Sequence, residues 1–286
     1  MRQASKPFAG SATVPVSKKE IRKFSVEIRK IIDGQEVDLR DNREGDWSAL
    51  KNDVHTLASC ASEQAASFKR ERDALAETLA DISHQIKTPL ASMAVMADLL
   101  ENAPQEKQAE FLANIKMGIT RLDWLASALL KMAKLDAGAV TLARESMHAR
   151  ELIGFALDPL RILLDIKNQS AEICGDVILL CDRKWTAEAL TNIIKNAAEN
   201  SPEGGVIRID CGRNPICSRV SVADCGPGIP RDKLSGLFRR FENSRGGDGH
   251  GIGLPLALAI MRGQNGDIEV ESSEGTGTTF TLKFFG

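Results

Sequence analysis

The 286-residue chain has no apolar run long enough to cross a bilayer. The longest uninterrupted stretch, Leu254 to Met261, is far shorter than the roughly 18 to 20 residues that a membrane-spanning helix needs. The N-terminus also lacks the apolar segment of a signal peptide. The chain is therefore predicted neither to span a membrane nor to be exported.

An excess of charge of one sign is also absent. The sequence has 37 Lys and Arg residues against 39 Asp and Glu residues, for a formal net charge of −2. Proteins that bind nucleic acid or anionic membranes through a broad surface need a basic field. No nucleic-acid partner is expected.

Paired-cysteine motifs are missing too. The six cysteines form no Cys-x-x-Cys pair and have no histidine at zinc-finger spacing. Without an export signal, disulfides are not expected. The thiols are predicted to be reduced, as in the cytoplasm. The glycines match neither a P-loop nor a Rossmann motif, which argues against both folds.

The N-terminal quarter shows helical patterns after an aperiodic leader over residues 1–17. Ile21, Phe24 and Ile28 recur at helical spacing, and a second helical pattern opens at Trp47. A helix, connector, helix plan is therefore predicted for residues 18–70. It weakly resembles a HAMP signal-relay segment, and a plain dimerising coiled coil is the equal alternative.

Residues 71–137 carry two heptad patterns. Apolar residues alternate in steps of four and three from Leu75 to Leu100, and again from Phe111 to Met132. Polar residues around Pro104 separate the two patterns. They predict a helical hairpin whose exposed apolar seam is best buried by a second copy, which gives a four-helix homodimer.

Residues 138–286 alternate helical and strand patterns. Helices are predicted near 148–166, over 183–200 and near 254–261, and strands near 171, 177, 206–211 and 219–223, followed by a final hairpin. Helices and a mixed sheet in two layers fit this order. The predicted fold is thus a dimeric helical-hairpin four-helix bundle followed by an α/β two-layer sandwich.

Five short motifs follow one another: His84-Gln-Ile-Lys-Thr-Pro-Leu, Asn192-Ile-Ile-Lys-Asn-Ala, Asp224-Cys-Gly-Pro-Gly, Gly249-His-Gly-Ile-Gly-Leu and Gly275-Thr-Gly-Thr. Their order and spacing resemble the cytoplasmic core of sensor histidine kinases of two-component signalling, from roughly Leu75 to the C-terminus. The resemblance implies a Bergerat-type (GHKL) ATP-binding domain over 138–286, with ATP and Mg²⁺ as cofactors. It also implies a homodimer and a response regulator receiver domain as partner.

Most members of this family are anchored in a membrane. The sequence is therefore compatible with a soluble kinase and with the cytoplasmic portion of a longer receptor, whose anchor would be a segment absent from this chain. Both alternatives stay open at this point.

His84 is predicted to face solvent at heptad position f, because Ile82 and Ile86 take the seam positions. A neutral imidazole is a competent nucleophile near pH 7. The resemblance implies that His84 accepts a phosphoryl group and that Thr88 positions the water for its removal from the regulator. Gln85 stands where the family commonly has Asp or Glu, and an amide cannot act as a base.

Asn192 and Asn196 are four residues apart and share a helix face. Amide oxygens are hard ligands that suit Mg²⁺, so Asn196 is the predicted metal ligand, although a plain polar helix face is an alternative. ATPases of the resembled fold carry a water-activating Glu at the position of Asn192, so hydrolysis should be suppressed. Lys195 could offset phosphate charge.

The remaining predicted nucleotide contacts follow from the resemblance. Asp224 would accept the adenine amino hydrogen, and Phe238 belongs to a phenylalanine box beside a polar, glycine-rich lid. Backbone that approaches the nucleotide closely needs glycine, and amides at a helix N-terminus can hold phosphates. These positions are Gly226, Gly228, Gly249, Gly251, Gly253, Leu254, Gly275 and Gly277.

The sequence thus predicts a protein-histidine kinase that autophosphorylates His84 and passes the phosphoryl group to an aspartate of a response regulator, with regulator phosphatase activity. A kinase-weak scaffold or phosphatase is the alternative that Gln85 motivates. A third reading, an ATPase of the same fold, is disfavoured by Asn192.

Overall fold

The computed structural model describes residues 16–35, 37–41, 45–101, 104–241 and 251–285. The helices are α1 (Lys18–Ile32), α2 (Asp46–Glu101), α3 (Gln105–Asp136), α4 (Ala149–Leu157), α5 (Arg161–Ile166), α6 (Arg183–Asn200), α7 (Arg231–Leu234) and α8 (Gly253–Gly263). The strands are β1 (Glu145–His148), β2 (Ser170–Cys174), β3 (Ile178–Cys181), β4 (Val206–Arg213), β5 (Cys217–Ala223), β6 (Gly266–Ser273) and β7 (Gly277–Phe285). Two compact units form, residues 1–77 and 78–286. Across the described ranges, no helix has the length and apolar character that a bilayer crossing requires.

In the first unit, α1 begins at a capping box. The Ser17 hydroxyl accepts the backbone N–H of Glu20 at 3.2 Å, and the Glu20 carboxylate accepts the N–H of Ser17 at 3.0 Å. Phe24 is the buried residue of the helix, and its ring meets Trp47 edge-on with centroids 5.2 Å apart. An aromatic pair therefore joins α1 to the start of α2.

The connector of the first unit is bonded to α2. Asp41 forms an ion pair with Lys51 at 2.8 Å, and both side chains are mostly buried. The Asn52 amide accepts the N–H of Asp41 and donates to its carbonyl oxygen. The predicted order of helix, connector and helix is present, and these contacts fit a HAMP-like segment and a coiled coil equally well.

The second unit opens with the predicted hairpin. A Cβ at Gly118 would lie 2.6 Å from Cγ of Met93, so α3 packs tightly against the Met93 side chain of α2. Along α2 the seam side chains of Leu79 and Ile86 are 55% and 40% exposed, and the neighbouring Leu90 is 54% exposed. This half of the seam is available to another molecule.

The last turns of α3 differ from the prediction. Leu125 and Met132, which belong to the heptad seam, are each only 3% exposed and join one hydrophobic core with the following α/β domain. This end of the seam is therefore covered within the chain, and the surface left for a second copy lies elsewhere on the hairpin. Because α3 packs on α8, the chain covers its own apolar face.

The α/β domain is built on a five-stranded mixed sheet in the order β2-β4-β5-β7-β6. The β2-β4 pair is parallel and the other pairs are antiparallel. Alternate residues of the strands, such as Val220 and Val222 of β5, point into the core and are fully buried. The buried faces of α4, α6 and α8 belong to that same core. The predicted two-layer sandwich is confirmed.

One predicted helix is wrong. Residues 148–166 were expected to be a single helix, but β1 ends at His148 and pairs with β3, and α4 stops at Leu157. A short 3₁₀ turn over Asp158–Leu160 separates α4 from α5. Pro159 explains the break, because proline lacks the amide hydrogen and crowds the carbonyl four residues earlier.

Candidate active site

His84 lies on the exposed surface of α2, as predicted. The hydroxyl of Thr88 donates to the His84 carbonyl oxygen at 3.1 Å, which places Thr88 one helical turn further along the same side. Gln85 is half-buried and Pro89 is buried. The structure therefore presents the imidazole to solvent, where another protein domain can reach it.

Asn192 is held between two helices of the α/β domain. It is 8% exposed, and its amide nitrogen donates to the Glu188 carbonyl at 3.0 Å. Its Oδ1 lies 3.2 Å from the point where a Cβ on Gly253 would be. Asn192 thus fills the space between α6 and the first residue of α8, and a larger residue at 253 would displace it.

Lys195 and Asn196, the next polar residues of α6, are half-buried. Asn196 lies one turn beyond Asn192, and its backbone carbonyl accepts the Asn200 side-chain amide at 2.8 Å. Lys195 lies 3.6 Å from the carboxylate of Glu199, and its ammonium is 5.4 Å from the ring centroid of Trp124. The proposed phosphate contact of Lys195 therefore competes with two neighbours.

Asp224 ends β5 with its carboxylate partly buried. Its Oδ1 accepts the backbone N–H groups of Gly226 at 2.9 Å and Thr278 at 3.1 Å. Burial raises the pKa of the Asp224 carboxyl, and the two hydrogen bonds offset this only in part. Both hydrogen bonds from described residues to the Asp224 carboxylate are accepted by Oδ1. Oδ2 is therefore available to accept a hydrogen bond from a ligand amino group.

Three backbone segments meet around Asp224. A Cβ on Gly226 would lie 2.7 Å from the Asn200 carbonyl oxygen, and Gly277 lies directly against the Asp224 carbonyl. Gly228 has φ +74° and contacts the backbone of the turn between β6 and β7. The predicted glycines are therefore required by close backbone packing, which brings the end of α6, the end of β5 and the β6-β7 turn together.

Gly275 is exposed and belongs to the β6-β7 turn. Its φ is +80°, and its N–H donates to the Pro227 carbonyl at 2.7 Å. No atom lies within 4 Å of a Cβ placed there. Its glycine is therefore explained by the turn conformation rather than by crowding.

The phenylalanine box closes onto the start of α8. Phe238 meets Phe280 edge-on with centroids 6.5 Å apart. Phe241 is 4% exposed with φ +65°, and its N–H donates to the Gly251 carbonyl at 2.9 Å. Gly253 and the buried Leu254 then open α8, while the prediction for Gly249 falls outside the described residues.

Thr278 is a site residue that the sequence reasoning missed. Its carbonyl accepts the Asp224 N–H at 2.9 Å, and its own N–H donates to the Asp224 carboxylate. The Gly275-Thr-Gly-Thr motif was the available signal, because it placed a strand start near the nucleotide. The pairing of that strand with Asp224 is set by the sheet register.

These residues fit an adenine nucleotide. Asp224 offers a carboxylate acceptor beside backbone that has no room for a Cβ, and α8 begins with backbone amides at Gly253. Within the described ranges, no group of three or more His, Cys, Asp or Glu side chains could hold a metal ion. The half-buried Asn196 has an amide oxygen of the hard ligand type that suits Mg²⁺.

Two family models match the chain. Residues 74–138 match "His Kinase A (phospho-acceptor) domain", and residues 181–285 match "Histidine kinase-, DNA gyrase B-, and HSP90-like ATPase". Together they cover more than half of the sequence. The first contains His84, and the second contains the four motifs of the nucleotide site.

Curated relatives share both regions. Sensor protein DivL of Caulobacter vibrioides is 29% identical over 237 residues, which are 80% of this chain and 30% of DivL. Heme sensor protein HssS of Staphylococcus saprophyticus is 28% identical over 243 residues, 82% of this chain and 52% of HssS. The chain thus spans about half or less of the length of these relatives.

Solved structures share the fold. Histidine kinase AdeS of Acinetobacter baumannii has a TM-score of 0.60 at 21% identity, over 71% of this chain and 97% of AdeS. Histidine kinase ThkA, solved in complex with response regulator protein TrrA, has a TM-score of 0.62 at 21% identity over 79% of this chain and 66% of ThkA. ShkA, solved in complex with AMPPNP, has a TM-score of 0.55 at 26% identity over 73% of this chain and 45% of ShkA.

Proposed function

The chain belongs to the sensor histidine kinases of two-component signalling, and we propose that it transfers the γ-phosphoryl group of ATP to His84 and then to an aspartate of a response regulator. The observation that carries this proposal is the presence, in one chain, of an exposed histidine on a helical hairpin and a nucleotide cradle around Asp224. The ShkA complex with AMPPNP, a relative with the same fold, supports ATP as the nucleotide.

The reaction requires a neutral imidazole and a positioned triphosphate. A ring nitrogen of His84 forms the new N–P bond, while the bond from the γ-phosphorus to the bridging oxygen breaks and ADP leaves. The imidazole proton is lost to solvent or to a nearby base. Because His84 is exposed on α2, its imidazole is accessible to the γ-phosphorus.

The nucleotide cradle contributes positioning and charge compensation, which account for most of the rate in phosphoryl transfer. Asp224 would orient the adenine ring, and the amides at the start of α8 would hold the phosphates. Bound Mg²⁺ would neutralise phosphate charge, with the Asn196 amide as its protein ligand. Residue 192 is an asparagine, and its amide cannot act as a base that activates water for hydrolysis.

The partners follow from the family and from the exposed seam. Leu79, Ile86 and Leu90 offer apolar surface for a second copy, so we propose a homodimer through α2. A receiver domain of a response regulator would then reach His84 from solvent. Thr88 would position the water that hydrolyses the aspartyl phosphate of the regulator. The cytoplasm is the proposed location, in keeping with six free cysteines.

The test is incubation of the purified chain with Mg²⁺ and γ-labelled ATP. We expect label that is lost in acid and stable in base, which is the behaviour of a phosphoramidate. His84→Ala should remove it, and His148→Ala, which changes another exposed histidine, should keep it. Label that survives His84→Ala would refute the assignment.

A second candidate function is a kinase-weak phosphatase, which Gln85 favours because it cannot accept the imidazole proton. It predicts tight nucleotide binding and little label on His84. It also predicts that the chain removes phosphate from a receiver domain phosphorylated in advance, and that Thr88→Ala abolishes this removal. Strong labelling of His84 in the unchanged chain would exclude this candidate.

A further inference from the structure

The last turns of α3 form a seat for the nucleotide-binding domain, which we call the α3 seat and define as Leu125, Ala128 and Met132. Each of these side chains is 3% exposed. They pack with α8 and belong to the same hydrophobic core as the sheet. The seat brings the hairpin into contact with the two helices that border the nucleotide site.

Charged side chains surround the α3 seat. The contacts are Asp136 to Arg240 at 2.6 Å, Lys131 to Glu188 at 2.8 Å, and Lys195 over the Trp124 ring at 5.4 Å. In each contact one partner lies on α3 and the other on the nucleotide-binding domain. The hairpin is therefore bound by polar contacts as well as by apolar packing.

Two of these contacts engage cations that are adjacent in the sequence to predicted site residues or to the phenylalanine box. Arg240 lies between the two phenylalanines of the box, next to Phe241, and Lys195 precedes Asn196 in the sequence. In the Lys131–Glu188 contact the cation lies on α3 and the anion lies on the nucleotide-binding domain. Breaking the Lys131 pair would weaken the seat without releasing a cation beside the nucleotide.

The Asp136–Arg240 pair bridges a gap in the packing. A cavity of about 380 Å³ lies there, lined by apolar side chains that include Met132, Leu135 and Phe238. The Asp136 and Arg240 side chains are 50% and 37% exposed. Ion pairs this accessible add little net stability, so an arginine in one can be drawn away by a more highly charged partner.

The backbone beside Arg240 is held in an unusual conformation. Phe241 has φ +65°, a left-handed value that is rare for a bulky aromatic residue, and its N–H is bonded to the Gly251 carbonyl. Such strain persists only where the surrounding structure enforces it. The fixed Phe241 keeps the neighbouring Arg240 at the junction of the α3 seat and the nucleotide site.

We propose that Asp136 and the phosphates of the bound nucleotide compete for Arg240, so that the Asp136–Arg240 contact, and not the apolar packing of the α3 seat, opposes nucleotide binding. Asp136 acts as a positioning residue through Arg240 and does not itself touch the nucleotide. By linkage, nucleotide binding must weaken the Asp136–Arg240 contact by the same factor by which that contact weakens binding. The inference rests on the proposed function, since it assumes an ATP site at Asp224.

The test measures the dissociation constant of the ATP analogue AMPPNP with Mg²⁺ by calorimetry on the whole chain. Asp136→Asn releases Arg240, and we expect binding about two- to fivefold tighter, the range that one exposed ion pair can supply. Lys131→Gln, the matched control, should leave the constant unchanged. Arg240→Gln should weaken binding, and adding Asp136→Asn to it should have no further effect.

Each outcome is decisive. Unchanged binding in Asp136→Asn, or an equal gain in Lys131→Gln, would overturn the competition while leaving the kinase assignment intact. A chain that binds no nucleotide in any variant would instead refute the proposed function, and this inference with it. Thermal unfolding of the four variants without nucleotide shows whether each is folded.

Discussion

Gly277 lies directly against the backbone carbonyl of Asp224, with no space for a Cβ between them. The neighbouring Thr278 exchanges two hydrogen bonds with Asp224, one to its backbone N–H and one from its own N–H to the carboxylate. The first two residues of β7 therefore position the carboxylate to which we assign the hydrogen bond with adenine. Substitutions at this contact should therefore change ATP binding, and those that also move the backbone should change folding.

Gly277→Ala is expected to impair both. Its φ of +92° strains any side chain, and the Cβ would collide with rigid backbone. We expect a loss of about 2 kcal/mol or more in the free energy of unfolding, together with loss of ATP binding. Gly275→Ala is the matched control: φ is +80° there but the Cβ meets open space, so the cost should be nearer 1 kcal/mol with ATP affinity kept. Equal effects in denaturant titrations and calorimetry would contradict the crowding argument.

Asp224→Asn should separate stability from binding. The amide oxygen can keep both backbone N–H donors, and the change removes a partly buried charge whose pKa is raised by burial. Stability near pH 7 should therefore be unchanged or higher. The new NH₂ would face the adenine amino group, so ATP affinity should fall by tenfold or more, equivalent to about 1.4 kcal/mol. Retained affinity would remove Asp224 from the site.

The same raised pKa predicts how pH acts on the unchanged chain. A carboxyl group with a higher pKa in the folded state binds its proton more tightly there than when unfolded. Its contribution to stability therefore decreases as pH rises from the ordinary Asp value through the folded value, and is then constant. ATP binding needs the ionised form and should weaken as pH falls through the folded value. Asp224→Asn should lack this pH dependence in calorimetry.

Gln264 should couple α6 to α8. It is 4% exposed, its side-chain oxygen accepts the Asp182 N–H, and its nitrogen donates to Thr186 Oγ1 at 3.0 Å. Gln264→Leu would leave buried donors unpaired and should cost about 2–4 kcal/mol of unfolding free energy. The double variant with Thr186→Val should cost less than the two single changes added together. Additive costs in urea titrations would mean that the bond contributes nothing.

Gln85→Glu should accelerate phosphorylation of His84. A carboxylate beside the imidazole can accept its proton, and a general base of this kind contributes about 10²-fold or more in rate. We expect at least a tenfold rise in the initial rate of labelling, with nucleotide affinity unchanged because residue 85 lies on α2. Gln108→Glu, which adds the same charge on α3, serves as the control. An unchanged rate would show that proton transfer from His84 does not limit the reaction.

Local patterns predicted much of the α/β domain. The helix expected over 183–200 is α6, and the helix near 254–261 is α8 with one or two residues added at each end. Both are marked by helical periodicity and by neighbouring glycine or capping residues, which are local signals. The expected single helix at 148–166 failed in two places: His148 pairs with Ile178 as the last residue of β1, a contact between distant segments, and Pro159 separates α4 from α5.

The candidate site was predicted as motifs and not as a geometry. Asp224, Gly226 and Gly277 were recognisable from spacing, since close backbone approach leaves glycine as a trace in the sequence. The hydrogen bond from Thr278 to Asp224 spans 54 residues and depends on the register of β5 with β7. No local pattern specifies that register to the residue.

The sequence by itself determined the helical, exposed position of His84, the order of the five motifs and the heptad seam, because each is encoded in spacings of a few residues. Only the tertiary structure decided what covers the end of that seam. A heptad marks Leu125 and Met132 as apolar but does not state their partner, and the structure gives them to the chain's own nucleotide-binding domain. A side chain is buried only when a second apolar surface covers it, and the heptad pattern describes only the surface of its own helix.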